Sequence, residues 1–163
     1  MEGFALLIGH LAGDYLFQDD WQAGNKTNPH PGPAPVETPM TGSVAIDTDN
    51  MFADIKAHDE WCARWNTWQV GNIACAVHCS LYTFAVWLCS FWWMPWWGLL
   101  ACWMLHYPID RFRLARLWME NVSGQKAFAT GVFSPWSIII VDNTFHLIVL
   151  LAIAFGAGRL PIS

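Results

Sequence analysis

Residues 135–157 read PWSIIIVDNTFHLIVLLAIAFGA, an almost wholly apolar run that begins at a proline. A helix needs roughly 20 residues to cross the hydrocarbon of a bilayer, so this run is long enough to span a membrane. It nevertheless contains Asp142 and His146, which are spaced by four residues and therefore share one helix face. The sequence thus predicts a membrane helix whose polar side chains face other protein segments.

Three other apolar segments, at about 3–20, 70–94 and 96–117, accompany this run. Hydrophobic residues make up 55% of the 163 residues, tryptophan occurs 12 times, and charged residues contribute only 13%. These values lie outside the usual range of soluble domains. We therefore expect an all-α, polytopic membrane protein in which four helices form one bundle and residues 1–163 form a single membrane domain.

The connection between the first and second segments, 21–69, has two parts. Its first part contains NPHPGPAPVETP (28–39), in which closely spaced prolines exclude a regular helix and favour an extended loop. Its second part, MFADIKAHDEWCARWNTW (51–68), distributes apolar and charged residues as an amphipathic helix at a membrane surface does. We expect a long Pro-rich loop followed by an interfacial helix.

The basic residues predict the orientation of the chain. Four spans place loops 19–69 and 111–134 on one side, and these loops hold seven of the eight Lys and Arg residues, so this side is expected to be cytoplasmic. Arg111 and Arg113 are interpreted as part of this orientation signal, with phosphate binding as an alternative. The net charge of -5 and the lack of a basic cluster argue against nucleic-acid binding. The expected partners are membrane lipids and either a second copy of the chain or another membrane protein.

Each apolar segment carries histidine or aspartate, and the order of these residues follows the direction of the chain. In the first and third segments, which run toward the predicted cytoplasmic side, His precedes Asp by four residues, whereas in the fourth Asp precedes His. Every Asp is therefore placed nearer the cytoplasm and every His deeper, and the histidine of the second segment falls near the same depth. The residues are His10 and Asp14, His78, His106 and Asp110, and Asp142 and His146.

Imidazole nitrogens and carboxylate oxygens that converge inside a helical bundle are typical ligands of divalent transition metals. We expect one or two ions, with zinc as the preferred metal, held by His10, Asp14, His78, His106, Asp110, Asp142 and His146. Because these exceed the four ligands of one tetrahedral zinc site, Asp14, Asp110 and Asp142 are also candidate catalytic residues that act as a base or orient other groups. Gln18, one turn beyond Asp14, is a candidate for orienting a ligand or the substrate.

The motifs HLAGDYLFQ with the later Lys26, HCSLY, HYPID and VDNTFH resemble the domain of unknown function 3307 family of small bacterial and phage membrane proteins. The resemblance covers the four helices but not the Pro-rich insertion, and it implies a bacterial inner-membrane location. A fainter similarity to membrane-bound metal-dependent hydrolases, whose His and Asp residues also lie in apolar helices, implies hydrolytic chemistry.

The predicted function is metal-dependent hydrolysis of a lipid or other amphipathic substrate that enters from the cytoplasmic leaflet. A metal held by His and Asp lowers the pKa of bound water toward 7 and polarises a phosphoryl or carbonyl oxygen. The alternative is a non-catalytic protein in which the same residues form a structural metal site or hydrogen-bond network, or conduct metal ions or protons. In either case Gly9 and Gly13, spaced by four, predict close packing of the first helix against a neighbour.

Overall fold

The computed structural model describes residues 2–35 and 48–158, with side chains in the second range described from residue 53. Throughout these ranges the regular secondary structure is helical, which confirms the all-α prediction. The later part of the predicted Pro-rich loop, from residue 36 and including Pro39, lies outside the described residues.

Seven α-helices and one π-helical turn follow one another along the described chain. They are α1 (Glu2–Leu11), the π turn (Ala12–Leu16), α2 (Asp20–Asn25), α3 (Thr48–Ser90), α4 (Trp96–Arg111), α5 (Leu114–Asn121), α6 (Lys126–Thr130) and α7 (Trp136–Gly156). Helix α3 packs against both α1 and α4, α7 packs against α4, and α1 also contacts α7. These four helices therefore surround a common interior.

Three predicted segments end earlier than their hydropathy indicates. The first, expected to extend to residue 20, leaves regular α-helix at Leu11, and Asp19 then caps α2 by accepting a hydrogen bond from the Gln22 amide at 2.7 Å. The second, expected to extend to residue 94, ends at Ser90. The third, expected to extend to residue 117, ends at Arg111 because Arg113 has a φ of 53°, in the left-handed region. The fourth segment agrees closely with the prediction, since α7 spans Trp136–Gly156.

Helix α3 joins two elements that were predicted separately, the interfacial helix 51–68 and the span 70–94. It is continuous over 43 residues because this stretch contains no proline, and Gly71 does not interrupt it. Gly71 instead allows the chain after α2 to approach closely, since a Cβ there would lie 3.0 Å from the Asn25 carbonyl oxygen and 3.0 Å from the Asn28 Cβ. At 1.5 Å per residue, α3 is about 65 Å long, so one helix extends well beyond the thickness of the hydrocarbon.

Within the described residues, two helical stretches are long and apolar enough to cross a membrane, Ala53–Ser90 and Trp136–Gly156. Helix α4 is only about 24 Å long at the usual rise, short of the roughly 30 Å of hydrocarbon, and α1 is shorter still. The predicted set of four spans is therefore not established by helix length.

The side chains are distributed in a way that is unusual for a soluble protein. Large apolar residues on all four packed helices are exposed, among them Phe4, Phe84, Leu100 and Ile148. The interior, by contrast, contains a group of buried polar and charged side chains: His10, His78, His106, Asp110, Arg111 and His146. Apolar residues such as Leu6, Val86 and Leu150 are buried beside this polar group. Extensive exposed apolar surface together with buried charged groups is compatible with a protein surrounded by lipid.

The two basic loops lie at the same end of the molecule, because Arg111 donates hydrogen bonds to the carbonyl groups of Asn28 and Trp68.

If this end is cytoplasmic, a cysteine in place of the exposed Gln125 should resist an impermeant thiol reagent added to intact cells. The background should lack the partly exposed Cys62 and Cys89. The matched control is a cysteine in place of Trp92, at the opposite turn, which should be labelled. Labelling at position 125 alone would reverse the predicted orientation.

Candidate metal centre

The four histidines that were predicted to share one depth lie together in the structure, and all are almost fully buried. The ring centroids of His106 and His146 are 4.1 Å apart, those of His78 and His106 are 5.1 Å apart, and those of His10 and His146 are 5.8 Å apart. The four rings come from α1, α3, α4 and α7. The agreement in depth that was inferred from chain direction is thus present in three dimensions.

Two overlapping groups of side chains have the spacing needed to hold a metal ion. Asp14, His78 and His106 form one group, and His106, Asp110 and His146 form the other, with the donor atoms in each group within 4.8 Å of one another. His106 belongs to both groups, so the two groups form one continuous cluster. We call these five residues the donor cluster.

Asp110 lies at the centre of the donor cluster. Its Oδ2 atom is 3.0 Å from His78 Nε2 and 3.2 Å from His106 Nε2, and its Oδ1 atom is 3.5 Å from His146 Nε2. The side chain of Asp110 is only 2% exposed. A carboxylate at this depth is costly unless it is paired, and here the partners come from two neighbouring helices as well as its own.

Four buried atoms of the donor cluster have no hydrogen-bond partner: Asp14 Oδ1, His78 Nδ1, His106 Nδ1 and His146 Nε2. Of these, Asp14 Oδ1 and His146 Nε2 lie close to other donor atoms of the cluster. Asp14 Oδ1 lies 3.4 Å from His78 Nε2, and its side chain is 13% exposed. His146 donates through Nδ1 to the Asp142 carbonyl oxygen at 2.9 Å, which leaves the lone pair on Nε2 facing the cluster. A histidine that is fixed through one nitrogen and offers the other is the usual form of a metal ligand, so the residues present fit a divalent ion.

His10 and Asp142 were predicted as ligands, but neither belongs to the donor cluster. Both His10 nitrogens have other partners, since Nδ1 lies 3.0 Å from the Tyr82 hydroxyl and 3.2 Å from Asp14 Oδ2, while Nε2 lies 2.9 Å from Asn143 Oδ1. Asp142 Oδ2 is 3.5 Å from His146 Nδ1, on the side that faces away from the cluster. These two residues contact the ligand side chains, which is an orienting position.

Lys26 enters the site from the segment after α2. Its ammonium donates hydrogen bonds to Asp110 Oδ2 at 2.8 Å and to Gln18 Oε1 at 2.7 Å, and it lies 3.4 Å from His78 Nε2. Burial opposes protonation, but the charge and hydrogen bond of Asp110 outweigh it and raise the pKa of Lys26 above its ordinary value. Gln18 thus orients a cation that contacts the cluster, close to the role predicted for it.

Arg111 was interpreted as part of an orientation signal, but it is only 4% exposed and has a defined structural role. Its guanidinium donates to the Asn28 carbonyl oxygen at 2.6 Å, to Asn72 Oδ1 at 2.7 Å and to the Trp68 carbonyl oxygen at 3.3 Å. These contacts fasten the segment containing Lys26 to α3. The burial of Arg111 could not be predicted from the sequence, because it depends on how three separate parts of the chain meet.

Sequence reasoning also missed Tyr82 and Asn143, although a signal for each was present. Tyr82 follows His78 by four residues on α3, is 1% exposed, and places its ring centroid 3.9 Å from that of His106. Asn143 precedes His146 by three residues. Its Oδ1 atom accepts a hydrogen bond from His10 of α1, and its Nδ2 group donates to the hydroxyl of Tyr15 in the π turn. The spacing of four that identified the His and Asp pairs would have found Tyr82, and a spacing of three, which also places residues on one helix face, would have found Asn143.

An apolar cavity of about 480 Å³ lies between the end of α4, α5 and α7. Ile109 and Phe145, which line it, directly precede Asp110 and His146 in the chain. Its volume is within the range of about 300–1,000 Å³ that is common for small-molecule sites. The remaining lining residues are Leu114, Leu117, Trp118, Asn121, Val122, Ile148 and Val149.

No protein-family profile, no curated protein and no solved structure matches the chain. The resemblance to the domain of unknown function 3307 family therefore rests on the quoted motifs, and the functional argument rests on the geometry of the donor cluster.

Proposed function

We propose that this protein is a membrane-embedded, metal-dependent hydrolase whose donor cluster holds one or two divalent transition-metal ions, preferably zinc. The observation that carries the proposal is the convergence of five donor side chains from four elements, with Asp14 Oδ1 and His146 Nε2 buried and unpartnered. Polar atoms buried without a partner are rare in proteins, and a bound cation would satisfy both.

A divalent metal bound by His and Asp supplies an activated water at neutral pH and polarises the bond to be cleaved. The two carboxylates of the donor cluster differ in exposure, which suits them to different roles in such a reaction. Asp110 is enclosed and paired, which suits a fixed ligand, whereas Asp14 is the more exposed carboxylate of the donor cluster. Asp14 is therefore the carboxylate best placed to accept a proton from water, with His10 and Tyr82 holding its orientation.

The proposed substrate is amphipathic and reaches the site from the surrounding lipid. Two helices are long and apolar enough to span a membrane, and the exteriors of α1 and α4 are also apolar. These features support a four-helix membrane domain. The apolar cavity lined by Ile109 and Phe145, whose chain neighbours Asp110 and His146 belong to the donor cluster, is the proposed site of an acyl chain. A bacterial inner-membrane location, with the basic loops in the cytoplasm, completes the proposal.

A second candidate function is supported by the Lys26 ammonium, which already neutralises Asp110 without a metal. A continuous set of close contacts then runs from Lys26 through Asp110 and the histidines to Asp14, and onward through His10 to Asn143 and Tyr15. Such a chain of titratable groups could relay protons or act as internal polar packing.

Metal content separates the two functions. We expect protein purified without chelator to contain zinc or a related metal at one or two equivalents per chain, and Asp14→Asn to weaken metal affinity by about 10–100-fold. Asp20→Asn, the same change at an exposed carboxylate, is the matched control and should leave metal binding unaltered. Elemental analysis and a thermal unfolding curve should be recorded for each variant. Two outcomes would favour the internal network. One is a metal content in the parent protein no higher than background, and the other is an Asp14→Asn variant whose stability changes while its metal content does not.

A further inference from the structure

We propose that the substrate carries an anionic group of the phosphate-ester class and that Lys26 is the residue that binds it; this inference rests on the proposed metal-dependent function. The observation is the position of a lysine ammonium among the atoms that would bind the metal.

The ammonium and a metal ion compete for the same atoms. Lys26 Nζ is 2.8 Å from Asp110 Oδ2 and 3.4 Å from His78 Nε2, and both atoms belong to side chains of the donor cluster. The Nε2 lone pair of a histidine can be used by one partner only, and two cations in contact with one carboxylate oxygen repel each other. Occupation of the donor cluster by a metal therefore requires the ammonium to withdraw.

The backbone at Lys26 limits how far the ammonium can withdraw. The Lys26 amide donates to the Gln22 carbonyl oxygen at 2.9 Å, and Arg111 donates to the Asn28 carbonyl oxygen at 2.6 Å. Close packing of Asn25 and Asn28 against Gly71 fixes the same segment. Only the flexible four-carbon stem of Lys26 is free to rotate, so the ammonium stays at the edge of the donor cluster.

This edge is the more accessible side of the site. The side chains of Lys26 and Asp14 are 16% and 13% exposed, whereas those of His78 and Asp110 are 0% and 2% exposed. Among the described residues, Lys26 makes no ion pair with the remaining nearby carboxylate, Asp142. An ammonium released from Asp110 thus faces the approach to the metal.

The charges of the donor cluster then favour an anionic substrate. Its two carboxylates, Asp14 and Asp110, balance one divalent ion. Asp142 is close enough to act on Lys26 electrostatically but makes no ion pair with it, so the Lys26 ammonium is left without an ion-pair partner in a partly buried place. Lysine is a common ligand of phosphate oxygens, and a charge in such a setting needs a partner of opposite sign. A neutral carboxylic ester would not provide one.

The test uses full-length, metal-loaded protein and two probes, inorganic phosphate and vesicles that contain a phosphate-monoester lipid, measured by calorimetry. We expect Lys26→Met to keep its metal, or to bind it more tightly, and to weaken phosphate binding by about 10–100-fold. Lys56→Met, the same change at an exposed lysine, should match the parent protein. Binding of the lipid alone would identify a lipid headgroup as the source of the phosphate, and binding of both would identify a site for phosphate itself.

Three results would overturn the inference while leaving the proposed function intact. In the first, the metal-loaded parent protein binds neither phosphate probe. In the second, the Lys26→Met variant binds phosphate as the parent does. In the third, the protein hydrolyses a neutral diacyl ester faster than the phosphate ester in the same vesicles. Loss of metal in Lys26→Met would instead make Lys26 a structural part of the cluster. A parent protein without metal would contradict the proposed function itself.

Discussion

Asp110→Asn is expected to lower the free energy of unfolding of the metal-free protein by about 3–5 kcal/mol. The substitution keeps the shape of the side chain but removes the charge that pairs with Lys26 at 2.8 Å and that lies 3.0 Å from His78 Nε2 and 3.2 Å from His106 Nε2. The Lys26 ammonium would then remain mostly buried without a counter-charge. Unfolding in detergent, after treatment with a chelator, measures the loss.

Two controls separate the buried charge from other effects of Asp110→Asn. Glu120→Gln removes the carboxylate of the more exposed pair with Arg116, and it should cost no more than about 1 kcal/mol. Adding Lys26→Met to Asp110→Asn removes the unpaired ammonium and should restore much of the lost stability. Equal losses in Asp110→Asn and Glu120→Gln would show that the central ion pair does not stabilise the fold.

Gly13→Ala is expected to destabilise the protein by about 3 kcal/mol and to reduce metal binding, because it separates two helices that build the site. A Cβ at Gly13 would lie 2.5 Å from Tyr82 Cδ2 and 3.0 Å from the Tyr82 Cα. Tyr82 holds His10 and packs against His106, so a shift of its ring or of α3 would disturb both. The unfolding free energy and the metal content should be measured on the same preparation.

Gly3→Ala, in the helix α1 that leads into the π turn, is the matched control. No atom lies within 4 Å of a Cβ at Gly3, so the change should leave metal binding unaltered and stabilise the helix by about 0.4–1 kcal/mol. We therefore expect the free energy of unfolding to fall in Gly13→Ala and to rise in Gly3→Ala. A Gly13→Ala protein as stable as the Gly3→Ala protein would contradict the packing of α1 against α3.

Features that depend on local pattern were predictable from the sequence. The apolar run at 135–157 corresponds to α7 at Trp136–Gly156, and the spacing of four within each His and Asp pair identified side chains that do meet. The spacing of Gly9 and Gly13 likewise indicated a close approach, and a Cβ at Gly9 would lie 3.0 Å from the Val86 Cα. Helical periodicity fixes all of these within one or two turns of chain.

Features that depend on distant contacts were not predictable in this way. Lys26 reaches Asp110 across 84 residues of sequence, and its position depends on the cap of α2 and on the hydrogen bonds of Arg111. Spacing alone also left open which of the seven candidate residues bind the metal and which orient other groups. Periodicity places His10 and His106 on interior faces alike, but only the partners supplied by Tyr82 and Asn143 show that His10 has no nitrogen to spare.

The π turn at Ala12–Leu16 has a consequence for how related chains should be aligned. It is closed by a hydrogen bond from the Phe17 amide to the Ala12 carbonyl oxygen, five residues apart, where a regular helix uses four. A chain that lacks this turn would carry one residue fewer between His10 and Gln18 and still present both to the interior. A search pattern that fixes the distance between these two residues would reject such a chain, whereas one that allows a single gap here would retain it.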